Sequence, residues 1–236
     1  MVAGVLSVPR FLLGICADAV FPPLCNACNA PLLPGESIAC QACRGAIVSV
    51  DEWDDAYRDA LVRLGLEGTV ADFVAAWYFE RDSPLRELMH RLKYGGMTPI
   101  GVEFGRVLGE RIREAGRGES GVIVPLPLHP SRMRERGFDQ CACIARGVST
   151  VTGRPVDARL IRRVRFTASQ TTLGHGERRE NVRGAFALRP HASVAGMTIL
   201  LVDDVVTTGS TMRACASVLL GAGARSVIAC AVAIAR

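Results

Sequence analysis

One stretch of the chain, MTILLVDDVVTTGSTM at residues 197–212, restricts the possible folds more than any other. Apolar residues lead into two adjacent acids, Asp203 and Asp204, and a turn rich in hydroxyl groups follows before a helical pattern begins. A strand, a turn and a helix in this order are typical of a parallel α/β sheet, which binds ligands at the carboxyl ends of its strands. The sequence therefore predicts an α/β fold with a binding site at this turn.

The residues of this turn are suited to binding a sugar phosphate. Backbone N–H groups and hydroxyls at the start of a helix form a cradle for anions, and a glycine lets the backbone approach a phosphate closely. The two adjacent carboxylates can accept hydrogen bonds from neighbouring hydroxyls of a ribose. The stretch predicts a ribose 5-phosphate site, with Asp203 and Asp204 on the sugar and five residues on the phosphate: Thr207, Thr208, Gly209, Ser210 and Thr211.

Strands and helices alternate through most of the chain. We predict strands at 72–80, 121–125, 197–202 and 226–234, and helices at 51–66, 84–94, 100–115, 138–152 and 210–220. Uniformly apolar strands indicate a parallel sheet with helices on both faces. The expected division is an N-terminal helix with a four-cysteine module at 1–48, a connecting helix at 49–70, and the α/β domain at 71–236.

Four of the nine cysteines have the spacing C-x2-C, eleven residues, C-x2-C: Cys25, Cys28, Cys40 and Cys43. Four thiolates in this arrangement bind one tetrahedral Zn²⁺, and without a fifth ligand nearby the site is closed and structural. The spacing leaves an iron–sulfur cluster and a redox role for one C-x2-C pair open. The other cysteines are scattered, and we interpret Cys141, Cys143, Cys215 and Cys230 as helix or core residues without a role in a site.

Positive charge is concentrated in residues 132–183, where 12 arginines stand against five acidic residues. That segment has a net charge of +7, while the rest of the chain has −2. Such a segment favours a polyanionic partner, either phosphate or pyrophosphate groups or a nucleic acid backbone. Lys93, in the string LKYGG, is the only lysine and a candidate point-charge contact to a phosphate.

The stretch at 197–212 resembles the PRPP-binding motif of type I phosphoribosyltransferases. Residues 122–140, VIVPLPLHPSRMRERGFDQ, look like the pyrophosphate loop of the same enzymes, which implies phosphate contacts by Arg132, Arg134 and Arg136. Residues 167–186 lie where those enzymes have a flexible catalytic loop. The resemblance implies that Arg178 and Arg179 close over the pyrophosphate, although many of those enzymes offer lysine there.

These motifs and the four cysteines, in this order, resemble the ComF family of competence-related proteins over nearly the whole chain. The resemblance implies a zinc-ribbon-like module before a phosphoribosyltransferase-type domain, and a role linked to DNA uptake or processing or to nucleotide metabolism. It implies PRPP as ligand, with Mg²⁺, and transfer of the phosphoribosyl group to a nitrogen acceptor that the sequence does not identify.

A second hypothesis is a non-catalytic competence accessory protein. Its arginine-rich face would bind single-stranded DNA or a helicase partner, and PRPP binding would be regulatory or vestigial. The longest uninterrupted apolar run has nine residues, 227–235, which is too short to span a membrane. We therefore expect a cytoplasmic protein without a membrane partner, and the sequence leaves its oligomeric state open.

Overall fold

A computed structural model describes residues 22–65, 68–117, 121–164 and 184–236. Its strands are β1 (Asp72–Phe79), β2 (Val122–Pro125), β3 (Ile161–Arg163), β4 (Phe186–Leu188), β5 (Thr198–Val206) and β6 (Ser226–Ala235). Four of them form a sheet in the order β1-β6-β5-β2, and every neighbouring pair in it is parallel. The two short strands β3 and β4 pair antiparallel, apart from this sheet.

The described helices cover both faces of the sheet. They are α1 (Gln41–Gly45), α2 (Asp55–Gly65), α3 (Pro84–Tyr94), α4 (Thr98–Glu114), α5 (Pro130–Arg136), α6 (Gln140–Thr152) and α7 (Ser210–Gly221). One apolar core lies between the sheet, α2, α7 and the β3–β4 pair, and the other between the sheet, α3, α4 and α6. The predicted parallel sheet with helices on both faces is confirmed. None of the described helices is long and apolar enough to cross a membrane.

Local capping explains where two of the helices begin. The Ser83 side chain accepts a hydrogen bond from the Leu85 N–H at 3.3 Å, and Pro84 occupies the first turn of α3. Asp139 accepts hydrogen bonds from the N–H groups of Cys141 and Ala142 at 2.8 and 3.1 Å, so that α6 begins immediately after it. Both caps satisfy backbone donors that have no partner inside the helix.

Several elements differ from the prediction, and β3 lies in a segment where no strand was predicted. Helix α2 begins at Asp55 rather than 51, because the Asp54 carboxylate caps it through the Ala56 N–H, which leaves Trp53 outside the helix and 80% exposed. The arginine-rich segment after β2, expected as a loop, contains the short helix α5. Strand β5 continues to Val206 rather than ending at 202, because its pairing with β6 continues through both acids.

Helices α4 and α6 pack unusually closely, through glycine. A Cβ atom at Gly105 would overlap the backbone carbonyl oxygen of Ile144, and one at Gly147 would overlap that of Val102. Helix backbones reach this separation only where neither residue carries a side chain. The seam fixes α6, which begins beside the acids of β5.

Candidate functional site

The acid pair predicted from the sequence lies in β5 near its carboxyl end. Asp204 is buried and Asp203 partly buried. Each carboxylate accepts a hydrogen bond from the backbone N–H of the following residue, Asp203 from Asp204 at 2.8 Å and Asp204 from Val205 at 2.7 Å. These bonds fix both carboxylates relative to the strand.

Lys93 is the cation that meets this pair. Its Nζ lies 2.8 Å from Oδ2 of Asp204, and the two side chains are 24% and 10% exposed. Burial alone would lower the pKa of Lys93, but the attraction of Asp204, and behind it of Asp203, outweighs burial and raises that pKa. The structure therefore brings LKYGG to the acid pair, where Lys93 carries its full charge at neutral pH.

Cys141 also belongs to the site, although the sequence interpretation gave it no role. Its buried thiol donates a hydrogen bond to Oδ1 of Asp203 at 3.4 Å. The Cys141 sulfur and one carboxylate oxygen from each of Asp203 and Asp204 all lie within 4.8 Å of one another. Only the start of α6 after β2 could have indicated this placement, because loops that follow parallel strands meet at one edge of a sheet.

Burial shifts the proton affinities of this cluster. Burial, followed by repulsion from Asp204, raises the pKa of Asp203 to about 7. Burial raises the pKa of Asp139 as well, against the opposing effect of the backbone N–H groups that it caps. The Cys141 thiol has a raised pKa for the same reason, with further repulsion from the acids, and stays protonated at neutral pH. With a pKa of about 7, Asp203 can donate a hydrogen bond when it is protonated and accept one when it is ionised.

The predicted phosphate-binding turn encloses a small cavity. The cavity has a volume of about 50 Å³, and its lining includes Asp203 and the predicted residues Thr207, Thr208, Gly209, Ser210 and Thr211. At about 12 Å³ for each water-sized group, it holds roughly four such groups. The hydroxyls of Thr208 and Ser210 lie 2.9 Å apart, and α7 begins at this point with Gly209 at its N-cap position. Hydroxyls, a helix N-terminus and one acid thus line a single cavity.

Gly209 is required here for a reason that the sequence did not reveal. Its φ is +70°, in the left-handed region that favours glycine, and an added Cβ would lie 2.7 Å from a methyl carbon of Leu64 on α2. Helix α2 thus packs against the turn. Glycine is needed at this position both for its positive φ and for the close approach of Leu64.

The arginines of α5 do not converge on one point. Arg132 donates to Glu135 at 3.2 Å, and Arg134 is exposed. Arg136 donates to Gln140 at 2.8 Å, with its guanidinium 5.3 Å from the centre of the Tyr94 ring. On this helix Arg132 and Arg136 are four residues apart and lie on one side, whereas Arg134 points in another direction, unlike the loop expected from the sequence. Arg178 and Arg179 lie outside the described residues.

Arg163 is a further cation that sequence reasoning did not single out. It ends β3 with its guanidinium 5.5 Å from the centre of the Phe186 ring. Burial lowers the pKa of Arg163, and the charge of Asp203 opposes that shift. The β3–β4 pair therefore brings a positive charge into the electrostatic field of the acid pair.

The four predicted metal-binding cysteines form a second cluster, separate from the acid pair. Their sulfurs all lie within 4.8 Å of one another, and those of Cys28 and Cys40 are 3.7 Å apart. A tetrahedron with metal–sulfur bonds of about 2.3 Å has edges of about 3.8 Å, so the set fits one Zn²⁺. Burial opposes ionisation of Cys25, but backbone N–H groups that point at its sulfur lower its pKa to about 6. The four cysteines could therefore hold a metal ion.

Comparison with known proteins agrees with this architecture. The phosphoribosyl transferase domain family matches residues 142–236. The DNA utilization protein YhgH of Escherichia coli O157:H7 is 35% identical over 164 residues, which are 67% of this chain and 67% of that protein. Its counterpart in Salmonella typhi is 36% identical over 148 residues, 61% of this chain and 64% of that protein, so the chain spans just under two thirds of that relative.

A third relative, competence protein F of Haemophilus influenzae, is 30% identical over 154 residues, 61% of this chain and 65% of that protein. Together, the parallel sheet, the clustered cysteines and these matches mark the chain as a member of the ComF family with a phosphoribosyltransferase-type domain.

Proposed function

We propose that the chain binds PRPP with Mg²⁺ at the carboxyl end of β5 and transfers the phosphoribosyl group to a nitrogen nucleophile. One observation carries the proposal: Asp203 lines the same cavity as the hydroxyl-rich turn. A sugar bound there has its 5-phosphate in the turn and its ribose hydroxyls at the acids, so that both ends of a ribose phosphate find partners. In this proposal Asp203 and Asp204 hold the ribose, and residues 207–211 hold the 5-phosphate.

The two acids suit a diol. With a pKa of about 7, Asp203 can donate a hydrogen bond to one hydroxyl when it is protonated, and Asp204 offers acceptor oxygens to the other. The ammonium of Lys93, 2.8 Å from Oδ2 of Asp204, stays beside the bound sugar and is available to the pyrophosphate. Arg132, Arg134 and Arg136 add positive charge from α5, and Arg178 and Arg179 are the cations proposed to close over the leaving group.

The transfer is a substitution at C1 of the ribose. The C1–oxygen bond to pyrophosphate breaks and its electron pair leaves with the pyrophosphate, while the nitrogen lone pair forms the new bond to C1. The proton of the nitrogen passes to solvent. Bound Mg²⁺ supplies charge stabilisation to the pyrophosphate oxygens, and the buried carboxylates beside the site fit a divalent cation brought in with the substrate. The cations of the chain stabilise the departing negative charge.

Isothermal calorimetry with PRPP and Mg²⁺ tests this function. Asp204→Asn should weaken binding at least about tenfold, because a lost hydrogen bond to a charged group is worth about 1.5–3 kcal/mol. Asp59→Asn, an exposed acid on α2, is the matched control and should bind as the wild type does. Ribose 5-phosphate should compete with PRPP, whereas ribose should not. No heat from the wild type, or equal affinity in Asp204→Asn, would contradict the proposal.

The four-cysteine cluster is proposed to hold a structural Zn²⁺. Its ligand set and its geometry support this, since four sulfurs leave no open position for a substrate. Elemental analysis should find one zinc per chain. An iron content with visible absorption would instead indicate an iron–sulfur cluster.

A second candidate function is binding of single-stranded DNA by the arginine-rich segment 132–183. The names of two relatives, DNA utilization protein and competence protein F, favour it together with the net charge of +7. The affinity should then fall steeply with salt. An absence of binding at low salt would remove this candidate.

A further inference from the structure

We propose that Arg91 is a positioning residue that connects the four-cysteine cluster to the acid pair, so that metal loading of the cysteines strengthens ligand binding at β5. For the identity of the ligand the inference rests on the proposed function. For the connection itself it rests on contacts made by helix α3.

Helix α3 contacts both clusters within its last turn. Arg91 donates from Nη2 to Oδ1 of Asn29 at 2.8 Å. Two residues further along, Lys93 reaches Asp204 at 2.8 Å. Because neighbouring residues of a helix move together, a shift of Arg91 also moves the backbone that carries Lys93.

Asn29 is fixed by the cysteine turn. It follows Cys28 directly, its φ is +61°, and its backbone N–H donates to the Cys25 carbonyl at 2.9 Å. The turn is thus bracketed by two of the four predicted metal ligands. A metal bound by the four sulfurs holds this turn in one conformation, and with it the acceptor that Arg91 uses.

Arg91 is also held in place by a contact within its own helix. Its Nε pairs with Glu87, one turn earlier on the same helix, at 3.2 Å. The guanidinium therefore bridges a carboxylate on α3 and an amide oxygen on the cysteine turn. A planar guanidinium loses less conformational freedom on forming two such contacts than a flexible ammonium group would. A movement of the cysteine turn is therefore passed on to α3 through Arg91.

The apolar contacts agree with the polar ones. The buried cysteines Cys25 and Cys43 lie in the same apolar core as Leu85, Met89 and Leu92 of α3. Unfolding of the cysteine turn would remove part of the surface against which α3 packs. Lys93 would then lose the fixed geometry of its ion pair, and the acid pair would lose its neighbouring cation.

The sole lysine of the chain gives a readout that needs no substrate. Protein labelled with ¹⁵N-lysine has a single Nζ signal, that of Lys93. Removal of zinc by a chelator should raise the exchange rate of its Nζ protons with water about fivefold or more, a factor at the lower end of usual couplings between sites. The affinity for PRPP with Mg²⁺ should fall by a similar factor.

Two variants keep the cysteines intact. Asn29→Gly removes the acceptor while it tolerates the positive φ, and Arg91→Met removes the donor. Both should retain one zinc per chain, yet behave like the zinc-free wild type in Lys93 exchange and in PRPP affinity. Arg86→Met, which removes an exposed arginine of the same helix, is the control and should behave as the wild type.

The outcomes separate this inference from the proposed function. If zinc-loaded wild type does not bind PRPP, the proposed function fails, but the Lys93 exchange rate still tests the connection. If zinc removal, Asn29→Gly and Arg91→Met all leave the Lys93 exchange rate unchanged, the inference is wrong, whatever PRPP does.

Discussion

The four-cysteine cluster and the acid-pair cluster, both within the described residues, are built in opposite ways. The four cysteines come from a stretch of 19 residues, 25–43, and their turns alone bring the sulfurs together. The acid-pair cluster joins Lys93 on α3, Cys141 on α6 and Asp203 with Asp204 on β5, which only the folded sheet brings into contact. A cluster encoded by local spacing can be predicted from the sequence, whereas one assembled by the fold is only partly visible there.

The most severe test of this difference is removal of one cysteine. Cys43→Ala deletes a buried sulfur, and we expect the zinc content to fall from one per chain to near zero. Structural zinc contributes roughly 10–16 kcal/mol in small zinc modules, so its loss should destabilise the cysteine segment by several kcal/mol. Elemental analysis and thermal unfolding measure both effects. Cys215→Ala, a buried cysteine of α7, should keep the zinc; equal loss in both variants would contradict a local site.

The acid pair should respond to pH in a way that the cysteines do not. The pKa of Asp203 is raised to about 7 in the folded chain, above its unfolded value of about 3.9. The folded state therefore binds more protons between these values, so the stability of the wild type falls as the pH rises from about 4 to about 7.

Asp203→Asn removes the contribution of this carboxyl to the pH dependence of stability. Its stability relative to the wild type should increase over that pH window by no more than about 4 kcal/mol, at about 1.4 kcal/mol for each pKa unit. Denaturant unfolding at several pH values measures the difference. Asp59→Asn should show no such trend, and a flat difference for Asp203→Asn would argue against a buried, protonated acid.

A double-mutant cycle on Lys93 and Asp204 measures how much of the cluster depends on the fold. Asp204→Asn leaves a mostly buried ammonium without its charged partner, which should cost about 3 kcal/mol of stability. Lys93→Met in the Asp204→Asn background should restore part of that loss, because the unpaired charge is gone. Simple additivity of the two changes in the free energy of unfolding would show that the ion pair contributes nothing.

The smallest expected effect concerns the phosphate-binding turn. Gly209 and Gly196 share a φ of +70°, but only Gly209 has a neighbour, Leu64, where a Cβ would stand. Gly196→Ala should cost about 1 kcal/mol, for the backbone alone. Gly209→Ala should cost about 1–2 kcal/mol more, for the contact with Leu64. Equal unfolding midpoints for the two variants would mean that α2 yields to the added methyl group.

The fold itself was largely predictable, because apolar strands and capped helices are local patterns. Helix α3 begins after Ser83 as the sequence predicts, since an N-cap and a proline act within one turn. The predicted start of α2 was wrong, because Asp51 and Asp54 are both suitable N-cap residues and the sequence does not distinguish them. The end of β5 was wrong as well, because pairing with β6 decides where a strand stops.

The site was predictable only where its residues are neighbours in sequence. Asp203, Asp204 and the following turn were identified together, and Asp203 lines one cavity with that turn. The contact of Lys93 with Asp204, the thiol of Cys141 and the guanidinium of Arg163 depend on the packing of separate elements, for which a single sequence carries little signal beyond the order of its elements. The roles of all these residues toward a ligand stay a prediction.

The glycine seam between α4 and α6 reaches further than the packing of two helices. It determines where the first turn of α6 lies relative to the sheet, and Asp139 and Cys141 are at the start of that helix. A methyl group added at Gly147 would wedge the two helices apart and lift that turn away from Asp203. A substitution at this helix contact, which contains no charged group, could thus change the pKa of the Asp203 carboxyl on β5.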